Sequence, residues 1–361
     1  MTLDRPPGQP TVALGVAIDP QTWTLAGLGL PSGEPVTDEV ARRKLGYWDG
    51  KALSPTPVLP SRSEVVISPF RPNPTRLIEV ARLAPRDPIA IDAAAEIARR
   101  QPATPELREA LGLLASYHPD ARGMGEIGLR SMEAEPEAAE ILFRAILERH
   151  QVREELGLAC FGLAEVLKRR SETIGRAESG EAARLFERVI ASHGEVRHRG
   201  LEHPTIGESA TLSLADLRTT GIGKPAPPLA GTDLDDKPLA LGDDRGKVIV
   251  VQFWSTSCGA CLKMVPRERE LVARLSGKPF AFVGVNGDDD RSVARATRDR
   301  SAVTWPSLWL RDGLDSVAGR WGIHTMPTTY LIDSRGIIRF KNLSGDALDK
   351  AVASLVDEAG R

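Results

Sequence analysis

Val248-Ile249-Val250-Val251-Gln252-Phe253-Trp254-Ser255-Thr256-Ser257-Cys258-Gly259-Ala260-Cys261 is the stretch on which the reading of the chain turns. Its first seven residues are β-branched and apolar but for Gln252, the make-up of a buried strand. Ser255, Thr256 and Ser257 end that run. Two cysteines three apart follow, and then a helical pattern of Leu262, Met264, Val265, Leu271, Val272 and Leu275. A strand that hands Cys-x-x-Cys to the start of a helix places the first sulfur among unpaired N–H groups and partial positive charge, which favour a thiolate over a thiol. Cys261, one turn on, is near enough to close a disulfide with Cys258 and to release a bound partner. The pair reads as a redox dithiol, against half of a zinc site or two inert buried thiols. No second Cys-x-x-Cys exists, so a four-sulfur zinc site cannot form. Leu262 follows Cys261, which removes the haem-attachment signal.

The surrounding chain sets bounds on what this dithiol serves. At 361 residues there is room for two or three domains, and 41% hydrophobic with 27% charged residues is ordinary for a globular protein. A net charge of −2 gives no reason to expect nucleic acid or an anionic membrane as partner. No apolar run has the length to span a bilayer. The N-terminus, Met1 to Pro10, has no basic stretch leading into an apolar core, so no secretory signal is expected. Three cysteines are too few for a disulfide-stapled scaffold. Cys160, in a helical run of Leu, Ala and Phe, is expected to be a small core residue. Of the six histidines, His193, His198 and His203 are five apart, a spacing that does not stack on one helix face; the others are His118, His150 and His324. Neither a metal site nor a cofactor is expected. Asp288-Asp289-Asp290 reads as a solvated loop or a cap for the helix after it.

Taken in order, residues 1–70 are rich in Pro, Gly and Ser, with two short strand-like runs, Thr11 to Ile18 and Glu64 to Ser68, and with Tyr47 and Trp48 as packing residues. Residues 71–218 turn helical: runs from Thr75, from Ile89 to Arg99, Pro105 to Tyr117, Glu137 to His150, Glu154 to Lys168 and Glu181 to His193 carry apolar residues at three and four spacing, broken by proline and glycine. Ala139, Leu142, Phe143, Ile146, Leu147 and His150 align with Ala182, Leu185, Phe186, Val189, Ile190 and His193. That alignment suggests helical hairpins of the tetratricopeptide kind, with an irregular bundle as the alternative. Gly and Pro gather at Thr219 to Pro228, the best domain boundary in the chain. Beyond it, strand and helix signals alternate through Lys237–Leu241, Val248–Trp254, Ala260–Leu275, Phe280–Val285, Arg291–Arg300, a hairpin of Thr329–Ile332 with Gly336–Phe340, and Ala347–Glu358. The expected fold is thus an all-α region followed by an α/β domain whose mixed sheet is covered on both faces.

Residues 222–361 resemble the thioredoxin superfamily, and within it the TlpA/ResA-type thiol–disulfide oxidoreductases with redoxin domains. The resemblance rests on Gly223-Lys-Pro-Ala-Pro-Pro-Leu-Ala-Gly231, on Arg245-Gly-Lys247 leading into the central strand, and on Phe253-Trp254 with Cys258-Gly-Ala-Cys261. It rests also on Pro266 inside the active-site helix and on Met326-Pro327-Thr328-Thr329-Tyr330 as a cis-proline loop. It implies Cys258 as attacking thiolate, Cys261 as resolving cysteine, and the two as a redox-active disulfide. It further implies a cis Pro327 facing them, with Met326 and Trp254 joining Pro327 in substrate binding. Protein disulfides as substrates and a thiol electron donor follow from the same resemblance. It implies a cell-envelope location, while the missing signal leaves the cytoplasm as the alternative. The layout of helices ahead of this domain resembles proteins that join an α-helical region to a redoxin domain, and the helical region is expected to bind a partner or substrate. Three positions depart from the family. Ser257 stands where Trp usually precedes the first cysteine, and Ala260 replaces Pro between the two. Gln252 replaces a buried Asp that accepts a proton, so Cys261 has to be deprotonated through water or another group.

Two other functions compete. A thiol peroxidase of the peroxiredoxin type carries Pro-x-x-x-Thr-x-x-Cys, but those positions hold Val251 and Ser255. A protein-interaction module with a redox-inactive thioredoxin fold would leave the two cysteines unexplained.

Overall fold

Helices α1 (Pro74–Leu83), α2 (Pro88–Arg99) and α3 (Pro105–Tyr117) open the helical region. α4 (Met124–Ser131), α5 (Pro136–Arg149), α6 (Arg153–Ile174), α7 (Glu181–Ser192) and α8 (Ile206–Thr220) complete it. The computed structural model describes residues 17–18, 25–26, 74–83, 85–99, 103–177, 180–198, 203–310, 315–323 and 325–360. Of the N-terminal segment, Ala17–Ile18 (β1) pairs antiparallel with Leu25–Ala26 (β2). Of the strand expected over Thr11 to Ile18, Ala17 and Ile18 are strand and the rest lies outside the described residues. The expected strand Glu64 to Ser68, with Tyr47 and Trp48, lies outside the described residues.

Local chemistry starts these helices where the sequence changes. Thr104 caps α3, its hydroxyl accepting from Leu107 N ahead of Pro105 at the first helical position. Thr205 and Glu208 form a reciprocal capping box on α8. Three helices, α3, α5 and α7, end on a histidine C-cap: His118, His150 and His193. Successive helices pack on one another, α4 lying against α5 and α6, around one apolar core running from Ile78 to Leu214. Ala139, Phe143 and Ile146 of α5 are buried like Ala182, Phe186 and Val189 of α7, whereas Ile190, opposite Leu147, is exposed. Cys160 is fully buried in this core, and burial pushes its thiol up.

Two helices escaped the periodicity. α4 contains Gly125 and Gly128, which lower helix propensity; the reason for Gly128 is the Phe143 ring, whose Cε1 would stand 2.4 Å from an added Cβ. α8 is rich in Ser and Thr, and several of those hydroxyls bond the carbonyl one turn back. No helix among the described residues is long and apolar enough to cross a membrane.

The α/β unit follows: β3 (Ala230–Asp233), β4 (Pro238–Ala240), β5 (Val248–Trp254), α9 (Gly259–Arg274), β6 (Phe280–Asn286), α10 (Arg291–Arg300), β7 (Ser307–Trp309), α11 (Asp315–Trp321), β8 (Thr328–Ile332), β9 (Ile338–Lys341) and α12 (Gly345–Ala359). Seven strands form one mixed sheet in the order β4-β3-β7-β6-β5-β8-β9. β5 runs parallel to β6 and antiparallel to β8, and all seven of its residues are buried. Val248 and Val250 meet Val265 and Leu271 of α9 and Val352 and Leu355 of α12. On the opposite face Ile249, Val251 and Phe253 pack with Trp321, Tyr330 and Ile332. β3 and β7 were not foreseen, being only four and three residues long.

The helical region is fastened to β9 by buried charge. Asp216 of α8 accepts from Lys341 Nζ at 2.6 Å and pairs with Lys168 Nζ of α6 at 2.8 Å. Glu172 lies 3.5 Å from Lys168 and 3.4 Å from Lys341, and accepts from Asn342 Nδ2. The Lys341 ammonium also stands 5.0 Å from the centroid of the Tyr330 ring. Two cations thus meet two carboxylates with little water to screen them. Gly175 ends α6 at φ 64°, and an added Cβ there would meet Phe340 Cε1 at 2.4 Å. The connecting segment continues the seam: Gly223 N donates to Ile338 O and Ile338 N to Lys224 O, both at 2.9 Å.

Burial alone would raise the Asp216 carboxyl, but Lys168 and Lys341 hold it down at about 2. A depressed carboxyl contributes stability that is present above its unfolded value and is lost as pH falls through the folded one, here on the order of 2 kcal/mol. Thermal unfolding is therefore expected to lose that amount between pH 4 and pH 2. Lys341→Met strips the pair of carboxylates of one cation and should cost roughly 3–5 kcal/mol at neutral pH. An unchanged melting temperature in calorimetry would refute the fastening role.

Candidate active site

The buried strand β5 ends at Trp254, and the chain turns through Ser255–Ser257 before α9 begins. The turn is held from outside: Thr256 N and Thr256 Oγ1 both donate to the Asp288 carboxylate, at 2.9 and 3.0 Å, and Asn286 Nδ2 donates to it at 2.7 Å. Asp288 therefore fixes the approach to the cysteines, while Asp290 caps α10 through Ser292 N and Val293 N. This divides the acidic run that the sequence suggested was a loop or a cap.

Cys258 is the N-cap of α9, and its Sγ accepts from Cys261 N at 3.1 Å. Cys258 is half-buried and Cys261 buried, and the two are joined as a disulfide. An unpaired helical N–H aimed at Sγ is the interaction that stabilises negative charge on sulfur. Pro266 lies inside the same helix.

The Met326–Pro327 bond is cis. Met326 packs with Cys258 against a small apolar cluster of Leu234, Trp254, Cys261 and Ala294. A groove of about 330 Å³ runs beside the disulfide, lined by Ser255, Ser257, Asp288, Asp289, Thr325 and Met326 among others. The structure thus brings Cys258, Cys261, Met326 and Trp254 together, with Pro327 next in the chain. Trp254 is 5% exposed and packs with Cys261, whereas Met326, which lines the groove, and Pro327 after it are half-buried. His324 lies outside the described residues.

Below the sulfurs the sheet is polar. Gln252 faces α9 and donates from Nε2 to Glu268 Oε1 at 2.5 Å. Glu268 is 3% exposed, and burial pushes its carboxyl up to about 7 against the opposing pull of Gln252. Sequence reasoning missed Glu268. A signal existed: it lies seven residues after Cys261 on the buried stripe Cys261, Val265, Glu268, Leu271, where a charge interrupts an apolar face.

With that geometry in place, likeness to known proteins becomes informative. The AhpC/TSA family matches over residues 222–341. The thiol-disulfide oxidoreductase ResA of Bacillus thuringiensis (strain Al Hakam) is 30% identical over 122 residues, 34% of this chain and 69% of that protein. The thiol:disulfide interchange protein DsbE of Pseudomonas fluorescens biotype C is 31% identical over 156 residues, 41% of this chain and 85% of that protein. Among solved structures, the thioredoxin domain of a thiol-disulfide oxidoreductase from Bacteroides vulgatus is 29% identical, covering 37% of this chain and 96% of that one, with a TM-score of 0.36. The chain belongs to the thioredoxin-like thiol-disulfide oxidoreductases of the ResA and DsbE kind.

Proposed function

We propose that residues 222–361 exchange protein disulfides through Cys258 and Cys261, and that residues 71–218 bind the partner or substrate. The observation that carries the first part is a half-buried sulfur at a helix N-terminus, bonded by Cys261 N and joined to Cys261 beside an open groove. With the pair reduced, the Cys258 thiolate attacks one sulfur of a substrate disulfide. The other substrate sulfur leaves with the electron pair and takes a proton, and a mixed disulfide remains on Cys258. Cys261 then attacks Cys258 Sγ, the second substrate thiol departs, and the enzyme disulfide forms. The substrate gains two electrons and the dithiol loses them; a thiol donor reverses the change. Met326 and Pro327 line the substrate side of this step with Trp254 as backing, which suits an extended peptide laid beside the sulfurs.

The second part rests on exposed apolar surface. Among the described residues, the large apolar side chains that stay exposed are Leu83, Tyr117, Ile141, Val152, Ile174 and Ile190 in the helical region and Val293 in the α/β unit. Such side chains suit a protein surface better than a small solute.

Cys258→Ser is expected to abolish reduction of insulin by the full chain, whereas Cys261→Ser should still attack and accumulate the mixed disulfide. An active double-serine variant would end this reading. Replacing Ile141 and Ile190 together by Asp should lower kcat/KM for a protein disulfide by roughly tenfold, the effect of about 1.4 kcal/mol of lost contact, and leave a small aromatic disulfide reporter unaffected. Equal loss for both substrates would remove the binding role.

A further inference from the structure

Gln252, Gly284 and Ser307 are direct neighbours across β5, β6 and β7, on the sheet face that receives α9. This row is polar or bare where the rows nearer the strand starts are apolar. Three buried polar atoms on this side of the sheet have no hydrogen-bond partner: Trp254 Nε1, Ser307 Oγ and Glu268 Oε2. Each such atom costs free energy unless it has a task or a water to bond. A small cavity of about 10 Å³ lies beside Trp254, lined also by Gln252, Cys261, Leu262, Val265, Val303 and Trp305. That is room for about one water, and Gln252, Trp254 and Trp305 are the lining residues that carry polar side-chain atoms.

Glu268 meets this interior through Gln252, whose Nε2 donates to its Oε1. It lines a second cavity, a cleft of about 200 Å³ between α9 and α12, together with Lys263, Met264, Arg267, Leu271, Ser344, Gly345, Leu348 and Asp349. The cleft and the substrate groove share no lining residue. The charged groups around it are Lys263 and Arg267 on α9 and Asp349 on α12; Arg267 is tied to Asp346 and Asp349, and Arg274 approaches Asp349. From β5 only the neutral Gln252 reaches Glu268.

We propose that Glu268 accepts the proton of the Cys261 thiol by way of a water in the small cavity and releases it into the cleft between α9 and α12, away from the bound substrate. This rests on the dithiol reading above. Gln252 grips Oε1 and leaves Oε2 as the acceptor. The Glu268 carboxylate becomes a carboxylic acid as the Cys261 thiol becomes a thiolate. That thiolate forms the bond to Cys258 Sγ, and the electron pair of the broken mixed disulfide leaves on the substrate sulfur. Glu268 then loses its proton to water in the cleft. A carboxyl titrating near 7 is matched to this work at neutral pH. A proton exit behind the helix lets the resolving step proceed while substrate covers the front.

The test is single-turnover reaction of the reduced full chain with a disulfide-linked peptide dimer, quenched with acid and read by mass spectrometry across pH 5 to 9. Wild type should form the mixed disulfide and resolve it with a rate that rises through about pH 7. Glu268→Gln should form it at the wild-type rate but resolve it about a hundredfold more slowly, with that rise gone. Glu268→Asp should restore part of the pH-dependent rise. Ser344 is exposed at the mouth of the cleft, so Ser344→Trp tests the exit without disturbing the core; it should slow resolution and leave Cys258 alkylation unchanged. Wild-type resolution and pH profile in Glu268→Gln, or in Ser344→Trp, would overturn the proposal. Failure of wild type itself to form a mixed disulfide would instead strike the dithiol reading.

Discussion

The hydrogen bond from Cys261 N to Cys258 Sγ is the contact around which the α/β unit is arranged. It exists only if the chain leaves β5 at a defined height and enters α9 with the first cysteine still outside the helix. Full burial of β5 and its pairing on both edges set that height. The grip of Asp288 on Thr256 sets the turn. Met326 packs on the same small cluster as Cys258 because β8 lies next to β5, so the loop before it ends level with the turn. A side chain at a helix start, a loop before an antiparallel neighbour and an acidic anchor thus converge through sheet pairing alone.

The helical region touches this arrangement from behind. Lys341 and Asn342, on and just after β9, reach Asp216 and Glu172, and β9 pairs with β8. Tyr330 joins the two halves. It lies in β8, packs edge-on against Trp321 with ring centroids 5.0 Å apart, and has the Lys341 ammonium over its ring. A buried ion network of this kind adds little net energy over an apolar seam, yet it tolerates only one register between its partners. Its value here is orientation: the helices cannot slide along β9 without stranding a charge.

Much of this was readable in the residues. Val248 to Trp254 could hardly be anything but a central strand, and the two cysteines after it are joined as a disulfide. The Gly- and Pro-rich run Thr219 to Pro228 lies between a core that includes Leu214 and one that includes Ile222. Hidden from periodicity were the elements whose reasons lie elsewhere in the fold. α4 is helical around glycines because Phe143 needs the space. β3 and β7 are too short to show alternation and exist by pairing with each other and with β4 and β6. Glu268 and Gln252 meet only once helix and strand are stacked, so no spacing rule links positions 252 and 268. Lys341 and Asp216 are separated still further along the chain, and only the docking of α8 onto β9 makes a buried lysine tolerable.

The connecting segment that bonds to β9 has a wider meaning. Through Gly223, Lys224 and Ala226 it occupies the outer backbone groups of Ile338 and of Gly336 just before the strand, so the start of that flank is covered by the protein's own chain. The other flank is β4, three residues long and starting at Pro238, which has no N–H to offer. A chain that meets this sheet from outside therefore finds little naked ladder on which to add a strand. Under the function proposed above, a client would be held at the thiol face and let go, rather than zipped onto an edge and retained.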